Sequence, residues 1–429
     1  MLIFVEQQNE RLKYTFDFIF KERDLNYSFS TDAQYFLDFK GPKFNYSPIA
    51  FKNILGCKPS PLLFSLGLQQ YSIDQELFHK ERCLTINGIT DPIASVFYIL
   101  TRYEEYNTSL KDKHGRYQGI KSVLYRFGWH ENAMCDRWSE DLLSYLTEKG
   151  DFPYKRKRHL PQIVPTFDID KAYAYKHKGL FRNSLSYFKD LYSKNKEQAR
   201  ERKLVLRGSK KDPFDNYDKI YDIHRRGFDI KLFWMLGNYG KFDKNISHKN
   251  KRHIRLIRKM NKIASIGIHP SYKSNSNEFF IHNEIERLQE ILEKHVRISR
   301  QHFLMLTFPK TYQTLIEQEI EHDYSMGYAD IVGFRAGTAR EFKWFDVSKN
   351  EVTNLRIHPF TYMDGTLNEY LKLSANEAEE KIAQLYLETK ANGGDFLFLW
   401  HNDTIGDYGH WKGWSKVLEF SLRLNEIEV

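Results

Sequence analysis

The pattern of apolar and polar positions changes its period near residue 160. Beyond that point, short runs rich in β-branched and aromatic residues recur at 163–167, 231–236, 265–268, 297–304, 331–334, 354–357 and 396–400. Stretches with apolar residues at helical spacing lie between several of them, at 216–226, 277–295, 309–322 and 375–391. Strands alternating with helices in this way predict an α/β fold with a parallel sheet, open or closed into a barrel. Residues 1–150 read instead as a smaller α+β domain. Its clearest helix begins at Asp91-Pro92, a capping residue followed by proline at the first helical position, and carries an apolar stripe of Ile93, Val96, Phe97 and Leu100. Arg102-Tyr103-Glu104-Glu105-Tyr106 follows and reads as a charged helix end. Gly150, Pro153, the basic run Lys155-Arg156-Lys157-Arg158, Pro161 and Pro165 interrupt any regular period. They predict a linker over 151–165 and a barrel-like domain over 160–429.

A chain of 429 residues with 41% hydrophobic content accommodates two cores. No run of eighteen apolar residues occurs, so no transmembrane segment is expected. The opening Met1-Leu2-Ile3-Phe4-Val5-Glu6 lacks the basic start and long apolar centre of a secretion signal, and a cytoplasmic protein is expected. Cys57, Cys83 and Cys135 have no paired spacing, which excludes a disulfide framework and a cysteine zinc site. The net charge of +9 raises the question of nucleic acid. The densest basic stretch, 249–262, sets Arg252, Arg255, Lys259 and Lys262 along one helical stripe and Ile254, Ile257 and Ile263 on the inner side, the pattern of a solvated outer face. No nucleic-acid motif accompanies it, and a nucleic-acid partner is not expected. An anionic glycan or lipid headgroup would use the same field.

The candidate chemistry collects at strand ends. Val164-Pro165-Thr166-Phe167-Asp168-Ile169-Asp170 is an apolar run that stops on two carboxylates. The bland account of it is a strand followed by a helix-capping Asp. Later runs end near His269, His302, Arg335, His358 and His401, and the second run near Trp234. In a parallel barrel such ends converge on one face. A carboxylate with imidazoles suits Zn, Mn, Fe, Co or Ni, and a further carboxylate and histidine beside the metal would serve as general base and acid.

These stretches resemble the polysaccharide deacetylases of the carbohydrate esterase type, the NodB-homology group, over residues 160–429. Thr166-Phe167-Asp168-Ile169-Asp170 is similar to the motif that supplies that family's catalytic base and a metal-binding Asp. Gly267-Ile268-His269-Pro270-Ser271 is similar to its metal-histidine motif, and Arg300-Gln301-His302-Phe303 lies where its arginine motif lies. Asp323-Tyr324-Ser325 resembles the acidic motif that follows, and Leu397-Phe398-Leu399-Trp400-His401 the last motif, whose histidine is the catalytic acid. The resemblance implies a (β/α)7 barrel. Residues 91–106, 323–327 and 333–338 resemble a two-domain bacterial branch with an uncharacterised N-terminal domain. Two departures stand out. Ile169 separates the family's adjacent carboxylates, and Lys273 stands where its second metal histidine would be.

The resemblance implies a metal-dependent hydrolase that removes an N-acyl group, most simply acetyl, from an amino-sugar glycan or a lipid-linked saccharide. Asp168 would be the base, His401 the acid, and Arg300 or Arg335 would position Asp168. With Lys273 a poor ligand, Asp170, His269 and His302 would hold a divalent cation, zinc first, with Co, Ni, Mn or Fe as alternatives. The alternative reading is a degenerate barrel that binds glycan without turnover. Trp344, Trp400, Trp411 and Trp414 are aromatic positions able to stack on sugars, with core packing the commoner role.

Overall fold

The computed structural model describes residues 1–157 and 159–426, so Arg158 of the expected linker and residues 427–429 lie outside the described residues. The N-terminal region opens with a small parallel sheet of β1 (Leu2–Phe4), β2 (Ser28–Ser30) and β3 (Lys43–Asn45), carrying α1 (Glu10–Phe20) and α2 (Ala33–Asp38). An antiparallel trio follows: β4 (Ile73–Leu77), β5 (Arg82–Ile86) and β6 (Ile89–Thr90). Helices α3 (Pro92–Leu100), α4 (Val123–Arg126) and α5 (Met134–Gly150) complete the region. Asp91 caps α3 as expected, accepting from the Ile93 and Ala94 amides. The helix has no polar side, because every residue from Pro92 to Leu100 is buried.

The second region is built on one nine-stranded sheet. Its strands are β7 (Ile163–Ile169), β8 (Lys231–Trp234), β9 (Ser265–Ile268), β10 (Ile298–Ser299), β11 (His322–Asp323), β12 (Phe342–Asp346), β13 (Glu351–Ile357), β14 (Tyr362–Met363) and β15 (Phe396–His401). The spatial order is β12-β13-β11-β10-β9-β8-β7-β15-β14, parallel throughout except for the antiparallel β12–β13 pair. Helices α6 (Leu180–Tyr192), α7 (Lys196–Leu206), α8 (Tyr217–Arg225), α9 (Lys251–Met260), α10 (Glu278–Leu292), α11 (Lys310–Glu317), α12 (Ala375–Asn392) and α13 (Ser415–Leu422) connect and flank these strands.

Several expectations need correction. The sheet does not close among the described residues, since β12 and β14 end it unpaired to each other, so the expected (β/α)7 barrel is an open, barrel-like sheet. Residues 331–334 form no strand. They are apolar because they bury against the N-terminal region: Phe334 N donates to His130 O at 2.8 Å. Gly333, at φ +113°, lies where an added Cβ would meet that carbonyl at 2.0 Å, so only glycine permits the approach. The run 297–304 contributes two strand residues and then leaves the sheet through left-handed backbone at Phe303 and Leu304. In α9 the inward residues are His253, Leu256, Ile257 and Met260, while Arg252, Arg255 and Lys259 face solvent.

The two regions share one apolar core that runs from Ile3 to Leu424. Tyr14 and Phe97 pack on Phe345 of β12 with ring centroids 5.1 and 5.2 Å apart, covering the sheet edge. Arg102 to Tyr106, read as a charged helix end, is buried instead, with only Glu104 partly exposed. Glu105 accepts from Arg102 Nε at 2.7 Å and Arg335 Nε at 3.0 Å, tying the N-terminal region to the loop before β12. Among the described residues, irregular backbone occupies 151–157 and 159–162 of the stretch read as a linker, whereas its last three residues, Ile163 to Pro165, belong to β7.

Candidate active site

Alternation along β7 decides which side chains meet. Phe167 and Ile169 point to the main core, and Val164 belongs to the inner cluster formed with Phe233, Leu397 and Leu399. Thr166, Asp168 and Asp170 therefore share the inner face. Ile169 between the two carboxylates places both on one side of the sheet. In β15, Trp400 joins the outer core and His401 falls on the inner face, in register with Asp168.

Arg300, fully buried, donates from Nη1 to Thr166 Oγ1 at 2.8 Å and to Asp168 Oδ1 at 3.0 Å. Its Nε donates to Tyr324 O at 2.8 Å, and its guanidinium lies 4.4 Å over the Phe233 ring. Asp168 is thus clamped on one oxygen, leaving Oδ2 at 3.6 Å from His269 Nε2. Arg335, the other arginine proposed for this task, is bound to Glu105 and to Gly327 O and is not at a strand end. His358 is also elsewhere, stacked on Tyr324 at 4.3 Å.

Asp170, His269 and His302 bring one donor atom each to within 4.8 Å of one another. His269 Nδ1 lies 2.6 Å from Arg300 O, an acceptor, so Nδ1 carries a hydrogen and Nε2 is the ring nitrogen left to the site. Nε2 lies 3.1 Å from Asp170 Oδ1, and both atoms are buried without a hydrogen-bond partner among the described residues. A divalent cation near both would give each its missing partner. His302 Nδ1 is 3.2 Å from Asp243 Oδ1, which turns Nε2 toward Asp170 Oδ2 at 3.4 Å. A carboxylate behind a histidine is the arrangement that orients metal-binding imidazoles. The residues therefore fit a divalent cation. Without a cation, burial opposes charge on both partners, but their attraction outweighs it: Asp170 is held well below the usual carboxylate range, and Asp170 and Asp243 push His302 up to about 9, so a cation binding there would displace the His302 proton. Lys273 is exposed on the turn Tyr272–Ser276 and is not a member of this group.

Opposite the cation group, His401 Nδ1 is 2.8 Å from Asp364 Oδ1, and the His401 amide donates to Asp364 Oδ2 at 2.9 Å. Burial disfavours the imidazolium, yet the Asp364 carboxylate raises it well above the ordinary histidine value. Asp168, Asp170, His269, His302 and His401 all line one cavity of about 450 Å³. Trp411 is also in its wall, whereas Trp344 and Trp400 are buried in the core. The N-terminal region reaches the same cavity through Arg116, which donates to Tyr370 Oη at 2.9 Å and to Asp112 Oδ2 at 2.7 Å.

Sequence reasoning missed Asp243, Asp364 and Arg116. Asp243 and Arg116 sit in loops with no period to read. Asp364 follows β14, whose two residues are too few for an alternation signal.

Comparison with known proteins adds one sequence match. Residues 1–151 match a family of unknown function, DUF7033. No curated protein matches the chain. Solved structures similar to it include a chain described as a polysaccharide deacetylase of Mycobacterium smegmatis, 13% identical, covering 64% of this chain and 90% of its own, with a TM-score of 0.38. A second, described as a polysaccharide deacetylase of Pseudomonas aeruginosa PAO1, is 12% identical, with coverages of 63% and 91% and a TM-score of 0.38. The Puue allantoinase is 12% identical, with coverages of 63% and 91% and a TM-score of 0.37. At these values the overlaps decide nothing about chemistry, and the functional reading rests on the site itself.

Proposed function

We propose that the chain is a metal-dependent hydrolase of amide bonds, removing an N-acyl group, most simply acetyl, from an amino-sugar glycan or lipid-linked saccharide. The observation that carries this reading is the meeting, in one cavity, of three groups: Asp170 with His269 and His302, Asp168 clamped by Arg300, and His401 backed by Asp364. Asp170, His269 and His302 would hold the cation, which when bound polarises a carbonyl and makes water a stronger acid. Asp168 is the base: its Oδ1 is fixed by Arg300, and Oδ2 is left to take a proton. His401 is the acid, kept protonated by Asp364 and placed to deliver a proton to the departing amine. The match over residues 1–151 supports a sequence boundary near residue 150 within a structure whose core is shared, and the N-terminal side contributes Arg116 to the site.

The test is acetate release from N-acetylated oligosaccharides by the purified chain supplied with Zn, Co, Ni, Mn or Fe. Asp168→Asn and His401→Ala should each lower kcat by about 10² to 10⁴ with the fold intact. Turnover near that of the parent in either variant removes the residue from the scheme. Glycan binding without turnover in any metal form would favour the non-catalytic alternative.

A further inference from the structure

Helix α6 (Leu180–Tyr192) is amphipathic the wrong way round. Its polar residues Asn183 and Asp190 face the protein, where Arg202 of α7 donates to Asn183 Oδ1 at 3.2 Å and to Asp190 Oδ2 at 2.7 Å. Its apolar residues face out: Phe181, Leu185, Phe188 and Tyr192 are 79, 56, 66 and 92% exposed. At four, seven and eleven residues from Phe181 these four fall on one stripe of the helix. A contiguous exposed stripe of large aromatic and aliphatic side chains marks an interaction surface, not chance exposure.

The charge around the stripe identifies the partner. Residues 176–211, which hold α6 and α7, contain twelve lysines and arginines against three carboxylates. Their formal charge is +9, equal to that of the whole chain, so the other residues together are neutral. Lys189 on α6, Lys194 in the turn that follows, and Lys196, Arg200 and Lys203 on α7 are all exposed. A groove lined by Lys211, Arg225, Arg252, Arg255 and Lys259 against Asp215, Asp218 and Asp222 includes His177, from the loop that leads into α6.

We infer that the α6–α7 hairpin is an interfacial anchor that lays Phe181, Leu185, Phe188 and Tyr192 into the surface of an anionic lipid bilayer. Apolar side chains flanked by lysines on a helix lying in the interface are the required chemistry. With 13 residues α6 is about 20 Å long, too short to span a hydrocarbon core of about 30 Å. The hairpin leaves the sheet at the end of β7 that bears Asp168 and Asp170. Glu201 of α7 accepts from Tyr408 Oη at 2.5 Å, and Tyr408 lines the cavity. Docking would therefore hold the mouth of the cavity beside the lipid headgroups. The anchoring itself does not depend on the hydrolase reading.

Sedimentation of the full chain with phosphatidylcholine vesicles, with and without phosphatidylglycerol, tests this. The parent should pellet with the anionic vesicles, weakly with the neutral ones, and less as salt is raised. Phe181→Ser with Phe188→Ser should weaken binding by on the order of tenfold or more, and Lys189→Glu with Lys194→Glu should abolish the preference for anionic lipid. These positions are exposed, and circular dichroism with thermal melting would confirm that the variants fold. Absence of binding to anionic vesicles at low salt, or binding unchanged in the aromatic variant, overturns the proposal. So does a parent dimer that the aromatic variant converts to monomer, since the stripe would then cover a second copy. Acetate release by the variants on a water-soluble oligosaccharide is read separately and leaves the hydrolase question distinct.

Discussion

Asp364 binds His401 twice, through the imidazole Nδ1 at 2.8 Å and through the backbone amide at 2.9 Å. The carboxylate fixes the ring's orientation and tautomer and raises its pKa well above the ordinary value. A raised pKa keeps the acid protonated through neutral pH, and the rate falls only as pH rises through it. Asp364→Asn removes the charge and keeps much of the shape. Its alkaline limb in a kcat-against-pH profile should therefore move to lower pH, with the acidic limb in place. An unmoved alkaline limb would show that His401 is not the group titrating there.

Metal content should follow the geometry of Asp170, His269 and His302. His269→Ala and His302→Ala should purify without bound divalent metal, while Lys273→Ala should retain it. Asp243→Asn, which loosens only the support behind His302, should weaken metal affinity by about 10- to 100-fold. Full occupancy in His302→Ala, measured by elemental analysis, would refute this ligand set.

The two buried arginines should separate by phenotype. Arg335→Ala leaves Glu105 with one fewer counter-charge in the interface between the two regions, and should cost about 3 to 5 kcal/mol in chemical denaturation. Arg300→Lys should fold but lose kcat, because a single ammonium cannot hold Thr166, Asp168 and the Tyr324 carbonyl at once. A stable, slow Arg335→Ala protein would reverse this assignment.

Acid stability should carry the signature of His253. Burial lowers its pKa from 6.5 to about 4, and its Nε2 accepts from Trp234 Nε1 at 2.7 Å. A depressed folded value means that the stabilisation is present above pH 6.5 and is lost as pH falls toward 4. The loss amounts to about 3 kcal/mol. His253→Gln keeps an acceptor for the indole and should flatten that part of the stability-against-pH curve. Parallel curves for parent and variant would exclude the effect.

The sequence by itself determined the elements with a period long enough to read. β7, β9, β15, α8, α10 and α12 follow from runs of alternation or helical spacing, and the capped start of α3 from Asp91-Pro92. The same local signals marked Asp168, Asp170, His269, His302 and His401 together with Arg335 and His358, and the resemblance to deacetylase motifs chose among them. Tertiary structure alone decided the rest. β10, β11 and β14 have two residues each, too short for any period. Residues 331–334 are apolar for burial against another region, a cause that composition does not distinguish from sheet formation. Choosing Arg300 over Arg335, and finding Asp243 and Asp364, required knowing which side chains meet across 132, 59 and 37 positions of chain. A charge or hydrogen-bond partner is set by distance in space, and no local pattern encodes it. The same holds for the outward face of α6. Its period is legible as helix, but only the packing of Arg202 against Asn183 and Asp190 shows that the polar side is the one turned inward.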